Sequence, residues 1–136
     1  QYRREVVLGD KAMLRGYRTQ LVEDQLRVSL VWEALTSMSV DYTVFVHGVD
    51  ENDTLVTSHD AQPLNGVYPT SHWEVGQVIV DTLTLDLPAE GLQGEVSLVD
   101  YMRVGWYDLS TMERVPAFEY GERLANDVIV LTAWRE

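Results

Sequence analysis

Apolar and polar residues alternate with a period of two through most of this chain. The pattern is cleanest from Gln25 to Ala34, where Leu26, Val28, Leu30, Trp32 and Ala34 fall on one side and Gln25, Arg27, Ser29 and Glu33 on the other. Period two is the geometry of an extended strand, here one that packs on one face and meets water on the other. Asp41–Asp50, DYTVFVHGVD, also alternates, with Tyr42, Val44 and Val46 set against Thr43, Phe45 and His47. Both of its faces are largely apolar, which predicts a strand in the interior of a sheet. The turn-forming run DENDT and a second extended segment, LVTSHD, make it the first arm of a hairpin.

The same rhythm predicts strands at Arg3–Leu8 and Ala12–Leu21, joined by a Gly9-Asp10 turn, with Met13, Tyr17 and Leu21 sharing a face. It resumes over Gln77–Leu87 and is closed by Pro88. A long run, Glu95–Asp108, sets Met102, Val104 and Trp106 against Tyr101, Arg103 and Tyr107, and Gly105 within it predicts a bulge or a close backbone approach. Thr111–Phe118 is a weaker strand, marked as an edge by Pro116, and Asp127–Trp134 is the last. No segment keeps a 3.6-residue period. About eight or nine short strands separated by turn signals predict an all-β fold: a single antiparallel β-sandwich domain over residues 1–136, jelly-roll-like or immunoglobulin-like. One segment has no rhythm, the crossover AQPLNGVYPTSHWEVG at 61–76. A loop of that length is functional or packed by its own side chains, and Tyr68 and Trp73 suggest aromatic lids over a sheet edge.

Composition narrows the function more than it identifies it. A net charge of −12 repels phosphate backbones and anionic lipid heads, so nucleic acid is not an expected partner. Without cysteine there is no disulfide, thiolate zinc site or cysteine nucleophile. No apolar run approaches the roughly 20 residues that span a bilayer. The chain starts at Gln1 with no signal peptide, which predicts a piece of something longer or a processed chain.

Asp81 is the most informative single residue, because it falls in phase with the apolar positions Ile79, Leu83, Leu85 and Leu87. A carboxylate there needs a partner, and the nearest supply is loop amides, so Asp81 reads as an anchor for the crossover, with Asp60 in the same role. Cation ligation by Asp81 is the competing reading. His47, His59 and His72 match no compact metal spacing. Asp50-Glu51-Asn52-Asp53 tempts a calcium reading through Asp50 and Asp53, yet it lacks the ligand spacing and glycine of an EF-hand loop and suits a hairpin turn. Tyr68, Trp73, Trp106 and Tyr107 are candidate stacking surfaces for a sugar ring, or equally the filling of a sandwich core. There is no Ser-His-Asp set, phosphate-cradling glycine loop or nucleotide fingerprint, so no catalytic residues are assigned and no enzyme activity is expected.

The run DYTVFVH, then DxxPLxGxYPTSxWxxGxVIVD, carries a resemblance. With Trp32, Asp41, Tyr42, Phe45, His47, Asp50, Asp60, Pro63, Gly66, Tyr68, Pro69, Thr70, Trp73, Gly76 and Asp81, followed by Leu87-Pro88, Val104–Asp108 and Arg114, the chain resembles the C-terminal β-sandwich domain of bacterial multi-pass membrane glycosyltransferases. Those enzymes are mannosyltransferase-like and use lipid-linked sugars. The match is dense over residues 24–114 and departs from the pattern between Gly94 and Val104, where Tyr101 is displaced. The resemblance implies a non-catalytic accessory module on the extracytoplasmic face of a membrane. Its expected partners are a glycan or glycolipid and the membrane-embedded transferase portion of the same polypeptide. A purely structural or protein-interaction module, or a calcium-dependent binding module, are the alternatives.

Overall fold

The strand read most clearly from the sequence buries its whole apolar face. Leu26, Val28, Leu30, Trp32 and Ala34 are each no more than 1% exposed. They lie on β3 (Gln25–Ala34) of a computed structural model that describes residues 2–88, 92–93, 96–97 and 99–132. A six-stranded antiparallel sheet holds, in spatial order, β12 (Glu122–Arg123), β11 (Ala117–Glu119), β1 (Tyr2–Leu8), β2 (Ala12–Val22), β3 and β6 (Val78–Asp86). The second sheet runs β10 (Glu113–Arg114), β9 (Tyr101–Asp108), β4 (Thr43–Val49) and β5 (Leu55–Ala61), with β13 (Ile129–Leu131) on the free side of β9. A short pair, β7 (Leu92–Gln93) and β8 (Val96–Ser97), stands apart from both. The described residues contain no α-helix, and the two sheets close face to face as an all-β sandwich.

β4 lies between β9 and β5, as its two apolar faces require. Its inner residues Val44 and Val46 meet Trp106 and Val104 of β9 across the ladder. At the centre of the sandwich Trp106 packs edge-on against Trp32, with centroids 5.2 Å apart, and against Trp73 at 5.6 Å, while Tyr42 lies 5.7 Å away. Among the described residues the Trp32 and Trp106 indole N–H groups meet no acceptor. Leaving such a donor dry costs about 1–3 kcal/mol. Burying a ring of this size returns more than that, so packing decides what sits here.

The structure departs from simple alternation in several places. A bulge at Arg15 shifts the β2–β3 register between Leu14↔Trp32 and Gly16↔Val31. Parity therefore flips: Met13 faces outward beside Glu33, while Tyr17 pairs with Leu30 and is buried. The single strand expected over Thr111–Phe118 is divided. Val115 donates to Trp106 O in one sheet, and the carbonyl of Pro116 accepts from Gly9 in the other. Having no N–H of its own, Pro116 suits the point where the chain changes sheets. Such divisions give more and shorter strand segments than the eight or nine expected. Gly105 is a close approach rather than a bulge, since the β4–β9 register passes through it unbroken. Residues 95, 98, 133 and 134, which belong to the strands expected over Glu95–Asp108 and Asp127–Trp134, lie outside the described residues.

Candidate functional site

The crossover after β5 is held by side chains of its own and of its neighbours. Asp81, 5% exposed and in phase with the core, accepts the Leu64 N–H at 3.0 Å. Leu64 and Asn65 both take left-handed backbone, with φ of 55° and 53°, before Gly66 at 84°. For leucine that conformation costs about 1–2 kcal/mol, and the bond to Asp81 offsets it. Further along, Thr70 is fully buried; its hydroxyl donates to Val40 O at 2.7 Å and accepts the Tyr42 N–H at 3.0 Å. Asp41 takes the Ser71 N–H, and the hydrogen bonds from Ser71 hold its carboxyl below the ordinary range. The Trp73 indole donates to Tyr68 O, and the Tyr68 hydroxyl lies 2.8 Å from Gln77 Oε1 and 3.0 Å from His72 O.

Burial pushes the Asp81 carboxyl above the ordinary carboxylate range, while the Leu64 N–H and the charge of His59 pull the other way. Between the unfolded value, about 3.9, and the raised one, the folded chain binds more protons than the unfolded chain. Stability from this group therefore falls as pH rises through that interval. Asp81→Asn keeps an acceptor for Leu64 and removes the charge. It is expected to melt no lower than wild type at pH 7, with any advantage vanishing once pH drops below the unfolded value. Asp81→Ala strands the Leu64 N–H and is expected to cost about 1–3 kcal/mol. Thermal melts of both variants across that pH range check the sign; an asparagine variant as damaged as the alanine one at pH 7 would refute it.

These positions correct several sequence expectations. Trp73 and Trp106 are 3% and 0% exposed, so they pack edge to face on one another and offer no platform to a sugar. Alternation put Trp106 in phase with Met102 and Val104, which was the available clue. Asp60 does not anchor the crossover: it lies on the outer face of the five-stranded sheet, where it accepts from His47 Nε2 and from the Tyr107 hydroxyl, both at 3.2 Å. Burial and the Asp60 charge together raise the Tyr107 phenol above its ordinary value. The histidines do not meet. His47 pairs with Ser58 and His59 with Val46, which puts them on opposite faces, and His72 sits by Tyr68. Asp50 Oδ1 is occupied by the Asn52 and Thr54 amides of its own turn. Asp53 turns instead towards the Tyr101 hydroxyl and the Arg103 guanidinium. Among the described residues no three histidine, aspartate or glutamate side chains gather as metal ligands.

What the crossover leaves open lies on the opposite margin. The outer face of the five-stranded sheet carries a cleft of about 550 Å³. Phe45 and His47 on β4 and Tyr101 and Arg103 on β9 form its floor, and the 124–128 connection forms a wall. Arg114 lies 4.7 Å over the Phe45 ring and donates to Asn126 O. Arg103 lies 5.6 Å over Tyr101 and donates to that residue's hydroxyl. At the rim Arg4 binds Glu119 through two nitrogens and reaches Val130 O with a third, tying the six-stranded sheet to β13. None of the four aromatic residues offered from sequence as stacking surfaces lines this cleft; Phe45, His47, Tyr101, Arg103 and Arg114, singled out on other grounds, do, with Asp60 and Tyr107 bracing it from outside. Arg4 and Asn126 escaped sequence reading because they come from distant segments, and Arg114 was named only as part of the resemblance. No helix among the described residues is long and apolar enough to cross a membrane. Compared with known proteins, the chain matches no family model and no curated sequence.

Proposed function

We propose that this domain is a non-catalytic accessory module of a bacterial membrane glycosyltransferase, working on the extracytoplasmic side and recognising a glycan or glycolipid acceptor through the cleft on the five-stranded sheet. The observation that carries this reading is the cleft itself: His47 of β4, Arg103 of β9 and Arg114 of β10 line it around two aromatic rings, beside the 124–128 wall. The residues of the glycosyltransferase-associated motif divide in the same sense. Asp41, Tyr42, Pro63, Tyr68, Thr70, Trp73 and Asp81 lock the crossover, whereas Phe45, His47 and Arg114 belong to the cleft. His47 is oriented by Asp60, which suits a binding group held in one pose. Isothermal titration and NMR shift mapping with bacterial oligosaccharides are expected to give weak binding, Kd about 0.1–1 mM, with perturbations at His47, Tyr101 and Arg103. Perturbations confined to Tyr68 and the crossover would overturn the assignment of the cleft.

A second reading has support of its own. Trp73 is packed into the core and the Tyr68 hydroxyl is bonded to His72 and Gln77, so the crossover is held by its own side chains against the sandwich. A structural or protein-interaction module needs no more than that. Absence of any glycan-induced shift favours it.

A further inference from the structure

We propose that the cleft seats an oxyanion, a phosphate or a carboxylate borne by the ligand, between Arg103 and Arg114. The proposal deepens the glycan-recognition reading and rests on it for the rest of the ligand. Three of the ten basic residues of a chain with net charge −12 line this one cleft. Arg4 is spoken for, with both Glu119 oxygens within 3.0 Å. The other two are held differently. Arg114 makes no ion pair among the described residues; it rests on the Phe45 ring and on the Asn126 carbonyl. Asp127, which feels its charge, has both oxygens already bound by Arg123. Arg103 rests on Tyr101 and has Asp53 at 3.6 Å, outside hydrogen-bond range, on a residue whose side chain is 65% exposed.

A guanidinium held over an aromatic ring keeps its charge and donors for a ligand, since the ring positions it without neutralising it. Two such groups converge here, Arg103 beside His47 on the ladder and Arg114 above Phe45 two residues along β4. Planar forks of this kind match the geometry of carboxylates and phosphates. The acidic surface elsewhere does not prevent this, because at physiological salt its field decays over about 8 Å while contact inside the cleft is direct. Asp53 is the competitor: its weak hold on Arg103 is what an incoming anion displaces.

The test is titration of the domain at fixed ionic strength with four probes: a neutral hexose disaccharide, a glucuronic-acid-containing disaccharide, a hexose 1-phosphate and inorganic phosphate. One or both acidic sugars are expected to bind at least tenfold tighter than the neutral one, and which of them binds tells carboxylate from phosphate. Arg103→Gln and Arg114→Gln are expected to abolish that tenfold preference. Asp53→Asn keeps a residue that tolerates the left-handed backbone at that position, φ 62°, and is expected to strengthen anion binding severalfold. Should Arg114→Gln fail to fold, Arg103→Gln and Asp53→Asn decide. Equal binding of neutral and acidic sugars at the cleft overturns the oxyanion seat and leaves glycan recognition standing. Inorganic phosphate bound through Arg103 and Arg114 with no sugar bound preserves the seat and removes glycan recognition. Silence from all four probes overturns both.

Discussion

Trp106→Ala is expected to destabilise the domain by about 4 kcal/mol. The ring is fully buried and is the common neighbour of Trp32, Trp73 and Tyr42, so its removal costs its own burial and three ring contacts at once. Against this, the variant loses an unpartnered indole N–H, a gain of about 1–3 kcal/mol that keeps the total from rising further. A domain of this size has roughly 5–15 kcal/mol to lose, so a large part of its margin goes with one residue. Trp106→Phe retains most of the packing and drops the same N–H, and it is expected to cost less than half as much. Urea denaturation should show a lowered midpoint with an unchanged slope, since the surface exposed on unfolding is nearly the same. A loss below about 1 kcal/mol for the alanine variant would mean that the aromatic cluster is not the centre of the core.

Gly105→Ala is expected to cost about 2–3 kcal/mol, a large penalty for one methyl group. A Cβ at Gly105 would lie 2.4 Å from Phe45 Cζ, 2.5 Å from its Cε2 and 3.0 Å from the Asp127 carbonyl. The Phe45 ring cannot swing clear, because Arg114 covers its other side at 4.7 Å. The penalty is steric, since Gly105 is not among the residues with positive φ. Phe45→Leu removes the ring edge that collides, so the double variant is expected to be more stable than the two single losses added together. Coupling between such contacting positions runs to about 0.5–3 kcal/mol. Denaturation of the four members of the cycle measures it directly, and an additive result would sink the steric account. The same methyl group should also unseat Arg114 and weaken whatever the cleft holds.

Legibility in the sequence followed dimension. A charge in an apolar phase is an anomaly that one strand displays by itself, which is why Asp81 stood out and why its surroundings could be anticipated. The inward faces of β3, β6 and β9 were equally readable, because period two is a local property. The bulge at Arg15 was not: an inserted residue leaves alternation looking intact on either side and reverses its meaning. The change of sheet at Val115–Pro116 needed the partner strands to be known. Aromatic type misled at Trp73, where ring size fits a sugar platform and a core equally well. The cleft was readable only in part. Arg103 and Tyr101 share a face of β9 by alternation, but their neighbours Arg4, Arg114 and Asn126 arrive through tertiary pairing that no periodicity encodes.

β1 is flanked by β2 on one side and by β11 on the other, where Val6 faces Glu119, and Arg4 bonds a glutamate 115 positions away. During synthesis β1 therefore waits, one edge bare, until Glu119 has left the ribosome. Pairings this remote slow the search for the native state and lengthen the time in which sticky edges are on view. A nascent domain of this topology closes only after the segment carrying β11 has emerged. A stop codon that removed β11 would then leave the meander of β1 to β3 made but unable to seal.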